Sequence, residues 1–142
     1  MEESVKAQNA AEKEARLLPT LALAYLGDAV LELLVRETLL EEGIRLPKEL
    51  NLAAKSFVTL EAQSDATEKL LPLLCEEELA VYKRGRNAKP HTVPKHGERI
   101  QYNRATGLEA LFGYLYKSGK EARLRELFVL AFADAIRKMN EK

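Results

Sequence analysis

Two acidic residues stand in the middle of apolar helical segments. Asp28 lies within the most hydrophobic stretch of the chain, and Glu109 stands between Leu108 and Ala110. A carboxylate in such surroundings is costly unless it is paired, protonated or bound to a cation. Two carboxylates brought together from different helices would form a site for Mg²⁺, which takes a few carboxylates, several waters and a substrate phosphate. Such an ion can activate water and stabilise charge at a phosphodiester undergoing cleavage.

An alternative interpretation of Asp28 is an ordinary polar stripe. Glu32 and Arg36 follow it at intervals of one helical turn, so all three share one helix face and an ion pair could hold them. The residues by themselves favour this alternative. Gly27 argues slightly against it, because a glycine inside a helix costs about 1 kcal/mol and usually has a structural reason.

Positive charge is concentrated between Lys83 and Arg104. This segment holds seven basic residues and one acid, Glu98, for a net charge of +6. The rest of the chain carries −6, so the net charge of zero results from a basic segment and an acidic remainder. A basic segment on an acidic body is typical of proteins that bind a phosphate-bearing partner. An ordinary polar loop is the alternative. The residues expected to contact that partner are Arg84, Arg86, Asn87, Lys89, Lys95, Arg99 and Arg104.

The elements that position these residues are all predicted to be helices. The predicted helices span Pro19 to Leu40, Lys48 to Phe57, Thr59 to Leu74 with a disturbance near Pro72, Glu76 to Arg84, Arg104 to Tyr116, and Glu121 to Met139. Residues 1–16 are predicted to be a frayed or weakly helical lead-in, and Gly85 to Ile100 a loop. No segment alternates with a period of two. The predicted fold class is all-α, with one domain over residues 17–142.

Composition excludes several classes of protein. The chain has 142 residues, the usual size of one domain, and its 46% hydrophobic content excludes disorder along the whole length. The single cysteine, Cys75, excludes an intramolecular disulfide and fits a reducing cytoplasm. The longest apolar run near the N-terminus, from Leu17 to Gly27, is shorter than the roughly 20 residues that a membrane span needs. We therefore expect no membrane partner.

Four stretches together resemble the ribonuclease III family. Residues 23–31, which read LAYLGDAVL, resemble its signature helix, and residues 108–116, which read LEALFGYLY, resemble its second acidic motif. The segments RGRNAK at 84–89 and TVPK at 92–95 are similar to the short bacterial form, Mini-ribonuclease III. The resemblance runs from about Leu18 to the C-terminus, with its motifs in the right order and spacing.

The resemblance implies an all-helical endonuclease fold and an obligate homodimer, with a valley for double-stranded RNA and one active site per subunit. It implies Mg²⁺-dependent hydrolysis that leaves 5′-phosphate and 3′-hydroxyl ends. Asp28 and Glu109 match the catalytic, metal-binding pair, Glu32 and Arg36 would have supporting roles, and the basic residues would grip RNA. The expected task is maturation of the 23S ribosomal RNA precursor in the cytoplasm, with proteins of the large ribosomal subunit as candidate partners.

Two departures from full-length ribonuclease III leave alternatives open. Ala24 stands where the long form has a Glu, and Thr106 stands where it has an Asp. The chain ends at Lys142 without room for a double-stranded RNA-binding domain, so we expect the basic loop to supply the grip. One alternative is a non-catalytic RNA-binding module of the same fold, associated with the ribosome. Another is a helical scaffold whose apolar helices serve only dimerisation.

Overall fold

A computed structural model describes residues 2–88 and 99–141, and these residues form helices and no strands. The α-helices are α1 Glu2–Leu17, α2 Thr20–Glu41, α3 Pro47–Val58, α4 Leu60–Leu70, α5 Glu76–Asn87, α6 Arg99–Lys117, α7 Glu121–Ala131 and α8 Ala133–Asn140. A 3₁₀ turn, Leu71–Leu73, joins α4 to α5. The prediction of an all-α fold is confirmed.

Helix α6 lies at the centre of the fold. It packs against α1, α2, α4, α5 and α7, and it is buried along most of the stretch from Ala105 to Leu115. Leu31 and Leu34 of α2 join Leu111 of α6 and Leu127 of α7 in the main hydrophobic core. A helix surrounded in this way is held on every side, so a polar residue on it, such as Glu109, has a fixed position.

Local sequence explains where several helices begin and end. The Thr59 hydroxyl accepts a hydrogen bond from the backbone N–H of Ala62, 3.1 Å away, and caps α4. Gly43 and Gly119 have positive φ angles of 92° and 74°, the left-handed backbone that glycine adopts without strain, and they follow the ends of α2 and α6.

The N-terminal residues are helical, but they do not form the frayed lead-in that the sequence predicted. They form the regular helix α1, whose Ala15 is fully buried. The Gln8 amide donates to the backbone carbonyl of Ser118, 2.9 Å away, and Glu12 pairs with Lys120 at 3.2 Å. These partners lie about a hundred residues away in sequence, so the local pattern of residues 1–16 could not predict them.

The predicted loop from Gly85 to Ile100 was too long at both ends. Helix α5 continues through Arg86 to Asn87, and α6 already begins at Arg99. Gly85 is buried against α6, where a Cβ would lie 2.8 Å from the Cα of Gly107, so this glycine permits packing instead of breaking the helix. Residues 89–98, with the predicted RNA contacts Lys89 and Lys95, lie outside the described residues.

The predicted last helix, Glu121 to Met139, is interrupted in the structure. It breaks at Phe132 into α7 and α8. The Phe132 ring packs against Phe57 and Phe128, with centroid distances of 5.5 and 5.1 Å, and this contact favours the bend. Within the described ranges no single helix is long and apolar enough to cross a membrane; only α1 and α2 taken together reach that length and composition, and they are bent by 115°.

Candidate active site

Two glycines bring α2 and α6 into backbone contact. A Cβ on Gly27 would lie 1.6 Å from the carbonyl oxygen of Glu109, and a Cβ on Gly113 would lie 2.0 Å from the carbonyl oxygen of Leu23. Only glycine fits at either position without moving the helices apart. Because Asp28 follows Gly27 directly, this contact sets it beside Glu109. We call Gly27, Asp28, Glu109 and Gly113 the carboxylate crossing.

The two acidic side chains of the carboxylate crossing interact directly. Asp28 is exposed and Glu109 is half-buried, and their side chains lie within hydrogen-bonding reach of each other. Burial, followed by the negative charge of Asp28, raises the pKa of Glu109 to about 8. This raised pKa favours the protonated form of Glu109 as long as no cation is bound.

This donor set fits a hard divalent cation. The pair supplies carboxylate oxygens from two helices, and a bound cation would offset both the burial and the negative charge of Asp28 that raise the pKa of Glu109. The described residues contain no group of three or more His, Cys, Asp or Glu side chains that could hold a metal. Mg²⁺ suits two carboxylates because it keeps several waters, whereas zinc sites use more protein ligands.

The two positions that depart from the long form are not ligands in this structure. Ala24 is buried in an apolar cluster with Ala15, Val81 and Tyr114. The hydroxyl of Thr106 donates to the backbone carbonyl of Tyr102, 3.0 Å away. At these positions the chain uses small side chains for packing, so neither adds a carboxylate to Asp28 and Glu109 within the part of the chain that the structure describes.

Glu32 and Arg36 form an exposed ion pair with each other, one turn apart on α2. The polar-stripe interpretation therefore describes these two residues well. It does not describe Asp28, which the structure pairs with Glu109 on another helix. A supporting role for Glu32 and Arg36 remains a prediction.

The predicted RNA contacts that the structure describes lie at the end of α5 and the start of α6. We call these residues the basic rim: Arg84, Arg86, Asn87, Arg99 and Arg104. Arg84, Asn87 and Arg99 are exposed. Two of the arginines stand at the C-terminus of α5, where the helix dipole favours positive charge. The structure thus joins both ends of the basic segment to one pair of packed helices.

Two arginines of the basic rim have partners within the protein. Arg86 lies over the ring of Tyr82, with its guanidinium carbon 5.9 Å from the ring centroid. Arg104 donates hydrogen bonds to Ser64, at 3.0 Å, and to Glu68, at 2.9 Å, both on α4. Arg104 therefore ties α6 to α4, a structural task that the charge pattern alone did not indicate.

Sequence reasoning missed residues that position the site. Gly113 and Gly107 stand inside α6, and each is in close contact with a neighbouring helix. Their signal was present, since a glycine inside a helix usually has a packing reason. Tyr82 gave no such signal, because an aromatic residue on an amphipathic helix is ordinary core.

Comparisons with known proteins agree with this geometry. The model of the Ribonuclease III domain family matches residues 21–120. The chain is 46% identical over 121 residues to Mini-ribonuclease 3 of Brevibacillus brevis, which covers 85% of this chain and 90% of that protein. It is also 46% identical over 114 residues to Mini-ribonuclease 3 of Symbiobacterium thermophilum, covering 80% of this chain and 88% of that one.

The fold has a similar solved structure as well. A crystal structure of a Fusobacterium nucleatum protein is 34% identical, with a TM-score of 0.72, and the match covers 84% of this chain and 95% of that chain. The family match favours an enzyme over the non-catalytic module and the scaffold. The carboxylate crossing, the domain match and the relatives lead to one conclusion: the chain belongs to the ribonuclease III family, as a member similar to Mini-ribonuclease 3, and is an endoribonuclease.

Proposed function

We propose that the protein is a Mg²⁺-dependent nuclease that cleaves double-stranded RNA with Asp28 and Glu109 as its catalytic, metal-binding pair. The observation that carries this proposal is the contact of these two carboxyl groups across the α2–α6 crossing. Two carboxyl groups brought together from different helices are a donor set that Mg²⁺ can use, because it keeps several waters as its other ligands. The products would carry 5′-phosphate and 3′-hydroxyl ends, as the family resemblance implies.

The roles of the chain's own residues follow from their exposure. Asp28 is exposed and Glu109 half-buried, so the pair opens to solvent on one side and an RNA backbone can approach it. Glu109 must lose its proton to become a ligand, and the fixed helix crossing then holds both carboxylates at a constant separation. A bound Mg²⁺ would supply the Lewis acid that activates water and offsets charge at the scissile phosphate.

The basic rim would grip the RNA backbone. A-form RNA hides its base edges in a deep, narrow groove, so recognition relies on shape, phosphates and sugars. Exposed arginines at helix ends suit this task, because they can reach the phosphates and carry a permanent positive charge. We expect binding to weaken steeply as salt rises, with a slope that falls by about one for each phosphate contact removed.

The homodimer is also part of the proposal. One face of α2 exposes apolar side chains beside Asp28: Leu21, Tyr25, Leu33 and Leu40. Tyr25 is 85% exposed and Leu33 is 52% exposed, an unusual amount of apolar surface for one helix face. A second copy that covers this face would remove it from water.

Tyr25→Asp tests the dimer directly. Analytical ultracentrifugation should show a dimer for the wild type and a monomer for Tyr25→Asp. Leu52→Asp is the matched control, because Leu52 is a similarly exposed apolar residue on α3. The control should remain dimeric, and a dimeric Tyr25→Asp would contradict this choice of interface.

The proposed natural substrate is the precursor of 23S ribosomal RNA, processed in the cytoplasm with the help of a protein of the large ribosomal subunit. What supports this finer assignment is the similarity of residues 84–89 and 92–95 to the short form of the family. Cleavage of a 23S precursor stem should yield discrete ends, and a stem of equal length but unrelated sequence should give scattered ends.

The test of the whole proposal is cleavage of a long double-stranded RNA by the purified protein. Scission should require Mg²⁺, should stop with EDTA and should leave the same sequence intact when it is single-stranded. Asp28→Asn is the matched control variant, because the asparagine side chain has nearly the same shape as aspartate but no charge. It should bind the RNA and fail to cut it. Salt-sensitive binding without scission by the wild type would overturn the nuclease proposal and leave an RNA-binding module.

A further inference from the structure

Tyr82 is a buried aromatic residue that the proposed mechanism does not use. It lies on α5 and is only 2% exposed. Its ring packs onto Gly107 of α6, where an added Cβ would lie 2.7 Å from the ring carbon Cε2. Gly107 therefore makes the space that the ring occupies, and the ring has a defined place between the two helices.

The same ring supports an arginine of the basic rim. Arg86 follows Tyr82 by one helical turn and lies over the ring at 5.9 Å from its centroid. The Nε of Arg86 also donates to the side-chain oxygen of Asn87, 3.2 Å away. Two contacts thus orient a guanidinium that would otherwise sample many rotamers on a helix end.

The place of the ring on α6 links this arginine to the carboxylates. Gly107 stands two residues before Glu109 on one continuous helix. Tyr82 therefore fixes Arg86 relative to the stretch of α6 that carries half of the carboxylate crossing. A phosphate held by Arg86 would then lie at a constant distance along the strand from the phosphate at the carboxylates.

We propose that Tyr82 is a positioning residue for RNA, which holds Arg86 at a fixed spacing from the carboxylate crossing and so sets the position of the cut. This inference rests on the proposed function, because it needs Arg86 to contact RNA. Without the ring, Arg86 keeps its charge but loses its orientation, so affinity and the uniformity of the cut ends should both fall.

A double-mutant cycle between Tyr82 and Arg86 tests this coupling. Tyr82→Leu should weaken binding of a defined RNA duplex about threefold to tenfold, and should raise KM more than it lowers kcat. Tyr82→Phe keeps the ring and should restore wild-type affinity and uniform ends. In an Arg86→Gln background, Tyr82→Leu should cause little further loss, because the contact is already gone. Equal losses in both backgrounds would overturn the inference.

A second comparison avoids any change in the core. Arg86→Lys keeps the charge but replaces the flat guanidinium that stacks on the ring, so it should weaken binding several-fold and broaden the cut positions. Arg45→Lys, in the connector between α2 and α3, is the control and should change neither. If Arg86→Lys behaves as the wild type, the coupling is absent. If the wild type itself neither binds nor cuts the duplex, the proposed function fails, which is a distinguishable result.

Discussion

The carboxylate crossing and the basic rim position their residues in different ways. In the crossing, helix backbones touch at Gly27 and Gly113, so the backbone positions that carry Asp28 and Glu109 are fixed relative to each other. In the rim, Arg84 and Arg99 lie exposed at helix ends, whereas Arg86 and Arg104 are half-buried. A metal site needs fixed ligands, whereas phosphate attraction acts over about 8–10 Å at ordinary salt. The difference shows that the backbones are in direct contact where two metal ligands must be held together.

The largest expected effect comes from a substitution that forces the two helices of the carboxylate crossing apart. Gly27→Ala would place a methyl group 1.6 Å from the Glu109 carbonyl oxygen, so α2 and α6 must separate. We expect a loss of about 3 kcal/mol or more in the free energy of unfolding, measured in urea. RNA cleavage should fall with it, because Asp28 and Glu109 no longer meet.

Gly43→Asn is the control for that substitution. Gly43 has a φ angle of 92° and open space around its Cα, and asparagine tolerates this backbone better than most residues. Its cost should stay below about 1 kcal/mol. Equal destabilisation by the two variants would show that the crossing is not the constraint that we describe.

The next effect concerns how α5 is anchored at the end opposite the basic rim. Arg123 donates two hydrogen bonds of 2.8 Å to the buried Glu78, and these bonds lower the pKa of Glu78 to about 2. A folded-state pKa below the ordinary 4.5 means that the folded protein binds fewer protons than the unfolded chain. The stabilisation is therefore complete above about pH 4.5 and is lost as the pH falls towards 2.

Glu78→Gln checks this anchor. The free energy of unfolding should fall by about 3 kcal/mol at pH 7, because the substitution leaves the Arg123 charge without its buried partner. The difference between variant and wild type should shrink between pH 4.5 and pH 2. A difference that stays constant over that range would contradict the lowered pKa. An interaction other than the Glu78–Arg123 hydrogen bonds would then have to hold the N-terminal end of α5 in place.

The smallest effect separates two arginines within the basic rim. Arg104→Gln removes hydrogen bonds to Ser64 and Glu68 and should cost about 1 kcal/mol of stability. Arg86→Gln should leave stability nearly unchanged but lower the affinity for duplex RNA. Thermal unfolding and RNA titration on both variants check this. If both variants changed stability and RNA affinity by the same amounts, the two arginines would not have different roles.

Much of the fold and the pair of acids could be predicted from the sequence. The residue types of Asp28 and Glu109 alone favoured an ordinary polar stripe, and the pair could be named because the family motifs around the two residues are specific. The close contacts at Gly107 and Gly113 could not be located, since they depend on which helices meet. The packing of α1 and the structural bonds of Arg104 were missed for the same reason: their partners are distant in the chain.

The most direct test of the division between chemistry and grip is single-turnover cleavage of an RNA duplex over a range of protein concentrations. Glu109→Gln should lower the rate at saturation about a thousandfold and leave the half-saturating concentration unchanged. Arg86→Gln should raise the half-saturating concentration and change the saturated rate little. If Glu109→Gln cleaved the duplex at the wild-type rate at saturation, the account would be contradicted, because the carboxylate crossing would then not be where the RNA is cut.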